Sequence, residues 1–124
     1  MPKYITSDLL HYKIGNTKYL IEVTNTSKYG YCFKGVKDNF NGVICDEFIE
    51  DIPLTPEILE KNGWKKDKDG YFNDSYHIRL CKSNTNYAAY KVVNKSIVWL
   101  RAVENVPDLQ HLLFGLDISL KIEV

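Results

Sequence analysis

The side chains with the most chemistry to offer in this sequence are three histidines, three cysteines and a run of four carboxylates. His11, His77 and His111 could ligate a metal or move protons, yet they show no HxH or HxxE spacing and fall in three different predicted elements. Cys32, Cys45 and Cys81 are odd in number and widely separated, with no CxxC pair, which argues against a zinc knuckle or a thioredoxin-like redox motif. Cys32 and Cys45 lie in apolar runs, where a free cysteine behaves as a small hydrophobe, and such usage fits a reducing compartment. Carboxylate pairs that cleave glycosidic bonds come from separate elements held at a fixed separation. Asp46, Glu47, Glu50 and Asp51 crowd one strand end instead, as a solvated, edge-protecting cluster. There is no glycine-rich phosphate loop and no GxSxG elbow. The chain therefore reads as non-enzymatic, with no metal and no cofactor expected.

Binding chemistry is better represented. Of nine tyrosines, Tyr29, Tyr31, Tyr71, Tyr76, Tyr87 and Tyr90 fall in or beside strand-like segments, among Asn73, Asn84, Asn86 and Arg79. Tyrosine offers contact area at low entropic cost together with a polar tip, and it is also a good strand former. Lys61, Lys65, Lys66 and Lys68 flank Trp64, a combination that can hold phosphates and stack bases, although Asp67 and Asp69 offset the charge and a solvated hairpin is the simpler reading. The expected ligand contacts are Tyr31, Trp64, Tyr76 and Tyr87 as stacking surfaces, with Arg79 and Lys91 meeting negative charge.

Bulk properties narrow the partners. Sixteen basic residues balance sixteen acidic ones, whereas a protein that wraps duplex DNA normally shows a basic excess. Electroneutrality also gives little mutual repulsion, which is compatible with a homo-oligomer. A 44% hydrophobic and 26% charged composition is that of a globular chain. No apolar run approaches the roughly 20 residues that cross a bilayer, and the first residues lack a basic-then-apolar export pattern. A cytoplasmic, non-membrane protein is expected.

These side chains must be held by a strand-rich scaffold. Tyr19, Ile21 and Val23 alternate with Leu20, Glu22 and Thr24, predicting a strand at 18–24, followed by strands at 29–36 and 42–49. Residues 1–16 read as a lead-in in which Ser7 to Leu10 could form a helical turn. Three consecutive antiparallel strands suggest a small bent sheet or SH3-like barrel over residues 1–52. A second subdomain, 53–124, opens with Thr55 as N-cap and Pro56 at the first helical position, and Gly63 stops that helix. A charged tip at 65–70 leads into a meander of strands at 71–72, 76–81, 87–93 and 97–103, with turns at 74–75, 83–85 and 94–95. A second helix over 107–114 carries the stripe Leu109, Leu112, Leu113 and Leu116 to pack on the meander. Gly115 is expected to end it, and 117–124 to form a terminal strand with Ile118, Leu120 and Ile122 on one face. The fold class is α+β.

Two segments, Ile52-Pro-Leu-Thr-Pro-Glu-Ile-Leu-Glu-Lys-Asn-Gly-Trp64 and Val106-Pro-Asp-Leu-Gln-His-Leu-Leu-Phe-Gly-Leu116, with the aromatic meander between them, resemble a family of small uncharacterised proteins of phages, prophages and mobile elements of gut anaerobic bacteria. That family carries an IPLTxExLxxxG motif and a C-terminal helix with a Leu-Gln pair. The resemblance covers residues 52–124 well and the first fifty in pattern only. His111 matches a recurrent position, while Pro107-Asp108 stands where relatives often carry a histidine. The resemblance implies a mobile-element origin and a small intracellular protein, and it implies no established activity.

The expected function is a non-catalytic phage binding protein that holds a host protein or a small anionic, nucleotide-like ligand, in a role countering host defence. The alternatives are a nucleic-acid-binding accessory factor using the SH3-like part, and a virion or assembly component.

Overall fold

A computed structural model of the chain describes residues 3–84, 86–118 and 121–124. The chain divides into two compact units, Met1–Ile52 and Pro53–Val124. Each is built on a five-stranded antiparallel sheet, and the second adds two helices, so the protein is α+β.

In the first unit, β1 (Leu9–Ile14), β2 (Thr17–Ser27), β3 (Gly30–Gly35), β4 (Asn41–Ile44) and β5 (Ile49–Glu50) are arranged in the order β4-β3-β2-β1-β5. Strand alternation sends Leu10, Ile21, Val23, Tyr31, Phe33 and Ile44 to one face, where they form a buried cluster with Tyr4. Several expectations need correction. Residues 9–14 are a strand and not a helical turn, because Leu10, Tyr12 and Ile14 recur at period two and a short turn returns the chain onto β2 in the register Tyr12↔Tyr19. The sheet is open and not a closed barrel: among the described residues β4 and β5 are its two edges. Residues 25–27, left between the predicted strands 18–24 and 29–36, belong to β2, which a bulge between Val23 and Asn25 carries on to Ser27.

The second unit begins with α1 (Pro56–Lys61), whose N-terminus Thr55 caps by accepting a 3.3 Å hydrogen bond from the Ile58 amide. Gly63, at φ +86°, lets the Trp64 amide donate to the Leu59 carbonyl and its own amide to Glu60, a Schellman closure. The strands β6 (Lys65–Lys66), β7 (Gly70–Asn73), β8 (Ile78–Ser83), β9 (Asn86–Val93) and β10 (Ser96–Val103) form a meander in sequential order. Its buried residues, Tyr71, Ile78, Leu80, Tyr87, Ala89 and Val103, share one face. Helix α2 (Val106–Gly115) lies against β10 with Leu109, Leu112 and Leu113 buried.

Gly115 does not end α2; it stays helical. Asp117, at φ +59°, takes the left-handed position, and the Ile118 amide closes onto the Leu113 carbonyl. The terminal strand is also corrected. Residues 117–118 and 121–124 belong to no strand, and Leu120 lies outside the described residues, as does Thr85 of the 83–85 turn. The tail is tied to a side chain instead: the Asn62 Oδ1 accepts from the Glu123 amide and its Nδ2 donates to the Glu123 carbonyl, both at 2.7 Å. Among the described residues no helix is long and apolar enough to cross a membrane.

Candidate binding surfaces

The six residues expected to hold a ligand are divided between the two units, Tyr31 in the first and the other five in the second. Tyr31 belongs to the first unit, where it is buried and its hydroxyl accepts from the backbone amides of Lys3 and Tyr4 at 3.0 and 3.4 Å. Trp64 is 2% exposed, packed as the residue that closes α1, and its Nε1 is buried with no hydrogen-bond partner among the described residues. Tyr87 is buried on the inner face of the meander, with the Lys82 ammonium 4.7 Å from its ring centre. The Lys91 Nζ donates to the Tyr76 carbonyl at 3.0 Å, which links two of the candidates. Three of the six rings and heads are therefore core, because apolar area outweighs the polar tips of Tyr31, Trp64 and Tyr87.

Arg79 stands on the opposite, solvent-facing side of the meander, and the strand register places it in a single cross-strand row. Lys65 pairs with Phe72, Phe72 with Arg79, Arg79 with Tyr90 and Tyr90 with Trp99. Strands about 4.8 Å apart set these side chains at successive steps across five strands. None of the five is buried, and Trp99 is 60% exposed. The guanidinium lies 5.8 Å from the Phe72 ring centre and is ion-paired with Asp67. The Asp69 backbone amide, then the Arg79 guanidinium, hold the Asp67 carboxyl below the usual carboxylate range. The sequence reading missed Phe72, Tyr90 and Trp99 as one surface. Their alternation with Tyr71, Ala89 and Leu100 was the available signal.

A second feature lies in the first unit. Tyr12, Tyr19, Phe33 and Phe40 form a closed circuit of edge-to-face contacts, with ring centres 5.5 Å apart for Tyr12–Phe33 and Phe33–Phe40, 5.6 Å for Phe40–Tyr19 and 6.4 Å for Tyr19–Tyr12. With Ile14, Asn41, Gly42 and Val43 they line a cavity of about 500 Å³. Of the four rings only Phe33 is fully buried.

The ionisable groups are otherwise spread over the fold. Glu50 bridges Lys13 and Lys18 at 3.3 and 3.0 Å on the sheet face opposite the cavity, and Asp51 accepts from the Tyr4 hydroxyl at 2.6 Å and from the Lys3 Nζ at 3.2 Å. The acidic run thus ties β5 and its flank to the amino-terminal segment. Among the described residues no three His, Cys, Asp or Glu side chains gather as metal ligands. Cys32, Cys45 and Cys81 are all free thiols. No family model, curated protein or solved structure matches this chain.

Proposed function

We propose that this chain is a non-catalytic binding protein of phage or mobile-element origin that holds a small anionic, nucleotide-like ligand on the open face of its second sheet. The observation that carries the reading is the row Lys65–Phe72–Arg79–Tyr90–Trp99. Tyr90 and Trp99, direct cross-strand partners, offer aromatic side chains on which a base can stack, and Arg79 stands two strand spacings from Trp99, roughly 10 Å, to meet phosphate. Arg79 is positioned in advance by Asp67, so it loses little freedom on binding. In this reading the protein works in the host cytoplasm and counters host defence by sequestering a nucleotide signal. An SH3-like character for the first unit belongs to the same proposal, supported by its five antiparallel strands. The test is a thermal-shift screen of mono-, di- and cyclic nucleotides against wild type and Trp99→Ala. The proposal expects a stabilising nucleotide whose effect is lost in the variant, and a screen with no stabilising nucleotide would remove it. Single-stranded nucleic acid on the same row would instead show affinity falling steeply with salt.

A second reading, a virion or assembly component, is favoured by one observation. β10 is an edge strand that exposes Ile97, Val98 and Trp99 at 62%, 50% and 60% without a charged residue between Ser96 and Leu100. Unprotected edges of this kind template strand pairing with another chain. Light scattering at high concentration, with Val98→Lys as the control, tests it. Self-association that the lysine abolishes supports the reading, and a strict monomer counts against it.

A further inference from the structure

The first unit holds a cavity that the nucleotide reading does not use, and its lining specifies a different ligand. All four residues of the Tyr12–Phe33–Phe40–Tyr19 circuit line it, and neighbouring rings stand at 60–79° to one another, so faces of some are set against edges of others. Its volume of about 500 Å³ is that of a small-molecule or side-chain pocket. The aromatic floor is a built feature of the sequence. Tyr12 and Tyr19 are direct cross-strand partners, and Phe40 folds back from the β3–β4 loop into space left by Gly35.

Among the described residues no Lys, Arg, Asp or Glu side chain lines this cavity. Three lysines of the sheet are engaged on its other face, Lys13 and Lys18 by Glu50 and Lys34 by Glu22. Residues 1–52 as a whole contain six lysines against seven carboxylates, which disfavours an anion. Ring faces attract cations through their quadrupole within about 6 Å of the centroid. A primary ammonium is compact, strongly hydrated and has three donors to satisfy, and a wall without carboxylates cannot repay its desolvation. A methylated ammonium presents apolar methyl groups and diffuse positive charge, and needs no acceptor.

We infer that the Tyr12–Tyr19–Phe33–Phe40 cavity is a binding site for a methylated ammonium group, such as a trimethylated lysine side chain or a choline-type headgroup. Both sources share the trimethylammonium chemistry, and the two probes separate them. The site lies in the first unit and stands or falls independently of the nucleotide row.

Both tryptophans are outside this unit, so the readout is the aromatic-ring NMR spectrum of the intact chain. Choline and Nε-trimethyl-lysine are titrated beside unmethylated lysine, a proline-rich peptide and 3,3-dimethylbutan-1-ol, the uncharged isostere of choline. At least one trimethylammonium probe is expected to shift the Tyr12 and Tyr19 ring signals saturably, with the uncharged isostere about tenfold weaker or more and lysine weaker still. Tyr19→Leu should abolish the shifts while Tyr19→Phe keeps them, the second variant guarding against loss of fold. Equal affinity for the uncharged isostere, binding of the proline-rich peptide alone, or no saturable shift with either trimethylammonium probe would overturn the assignment.

Discussion

Phe40 packs over Gly35. A Cβ built on Gly35 would stand 2.5 Å from the Phe40 ring and 2.3 Å from the Asp38 carbonyl oxygen. The absent side chain is what lets the β3–β4 loop return its phenylalanine to the aromatic circuit. Gly35→Ala is therefore expected to expel Phe40 and destabilise the first unit by about 1–3 kcal/mol through overpacking. Chemical denaturation measures the loss, and NMR should show the Tyr19 ring signals moving with it. An unchanged midpoint would contradict the packing described.

Left-handed positions held by residues other than glycine provide the opposite sign. Asn94 and Lys95, at φ +48° and +70°, form the two-residue turn between β9 and β10, and Asp117 occupies the closing position after α2. Asn-Gly is the preferred pair for such a hairpin, and glycine for such a helix end. Lys95→Gly and Asp117→Gly should each stabilise the protein by about 0.5–1 kcal/mol, seen as a higher thermal midpoint. A fall in midpoint for both would contradict the backbone geometry.

Two groups in the first unit make its stability depend on pH in opposite directions. Burial, then the nearby Lys18, lower the His11 pKa, with Glu50 opposing. The unfolded chain then binds more protons than the folded one as pH falls below the ordinary histidine value of about 6.5. The stability contributed is present above that value and lost on the acid side, so His11→Gln should flatten the decline of stability with falling pH. Burial first, and then the hydrogen bond to Asp51, raise the Tyr4 pKa. Its contribution is complete below about pH 10 and lost as pH rises beyond it. Tyr4→Phe should cost about 1–2 kcal/mol at neutral pH and weaken that alkaline loss. Denaturant midpoints across pH for the two variants check both signs.

Much of this architecture was legible in the residues. The period-two alternation of the meander and the Thr55 cap appear where local chemistry dictates them, while Asn105, which caps α2 through Asp108, was not singled out. β1 was obscured because Ser7-Asp8-Leu9-Leu10 imitates a helix start, whereas pairing with β2 decides its conformation. The two tryptophans exchange the roles their neighbours suggest. Trp64 lies among lysines yet is buried as the residue that closes the Schellman turn. Trp99 lies in the apolar run Ile97-Val98-Trp99-Leu100 yet is exposed, because alternation shows which residues share a face but not which face is covered. The row from Lys65 to Trp99 depends on registers between strands, and the aromatic circuit on the return of a loop. Neither relationship is carried by local sequence.

The exposed indole also sets a stability limit on the nucleotide proposal. At 60% exposure, Trp99→Ala should change stability by no more than about 0.5 kcal/mol while removing roughly 1–3 kcal/mol of base stacking. Thermal unfolding without ligand and calorimetric titration with it separate the two effects. A variant that loses stability and keeps affinity would assign Trp99 to packing alone.

The most direct test follows the two indole N–H signals of the ¹⁵N-labelled chain during titration with the nucleotide that gives the largest thermal shift. The nucleotide proposal predicts that the Trp99 signal moves saturably while that of buried Trp64 stays in place. Movement of Trp64 alone, or of neither indole, would contradict it.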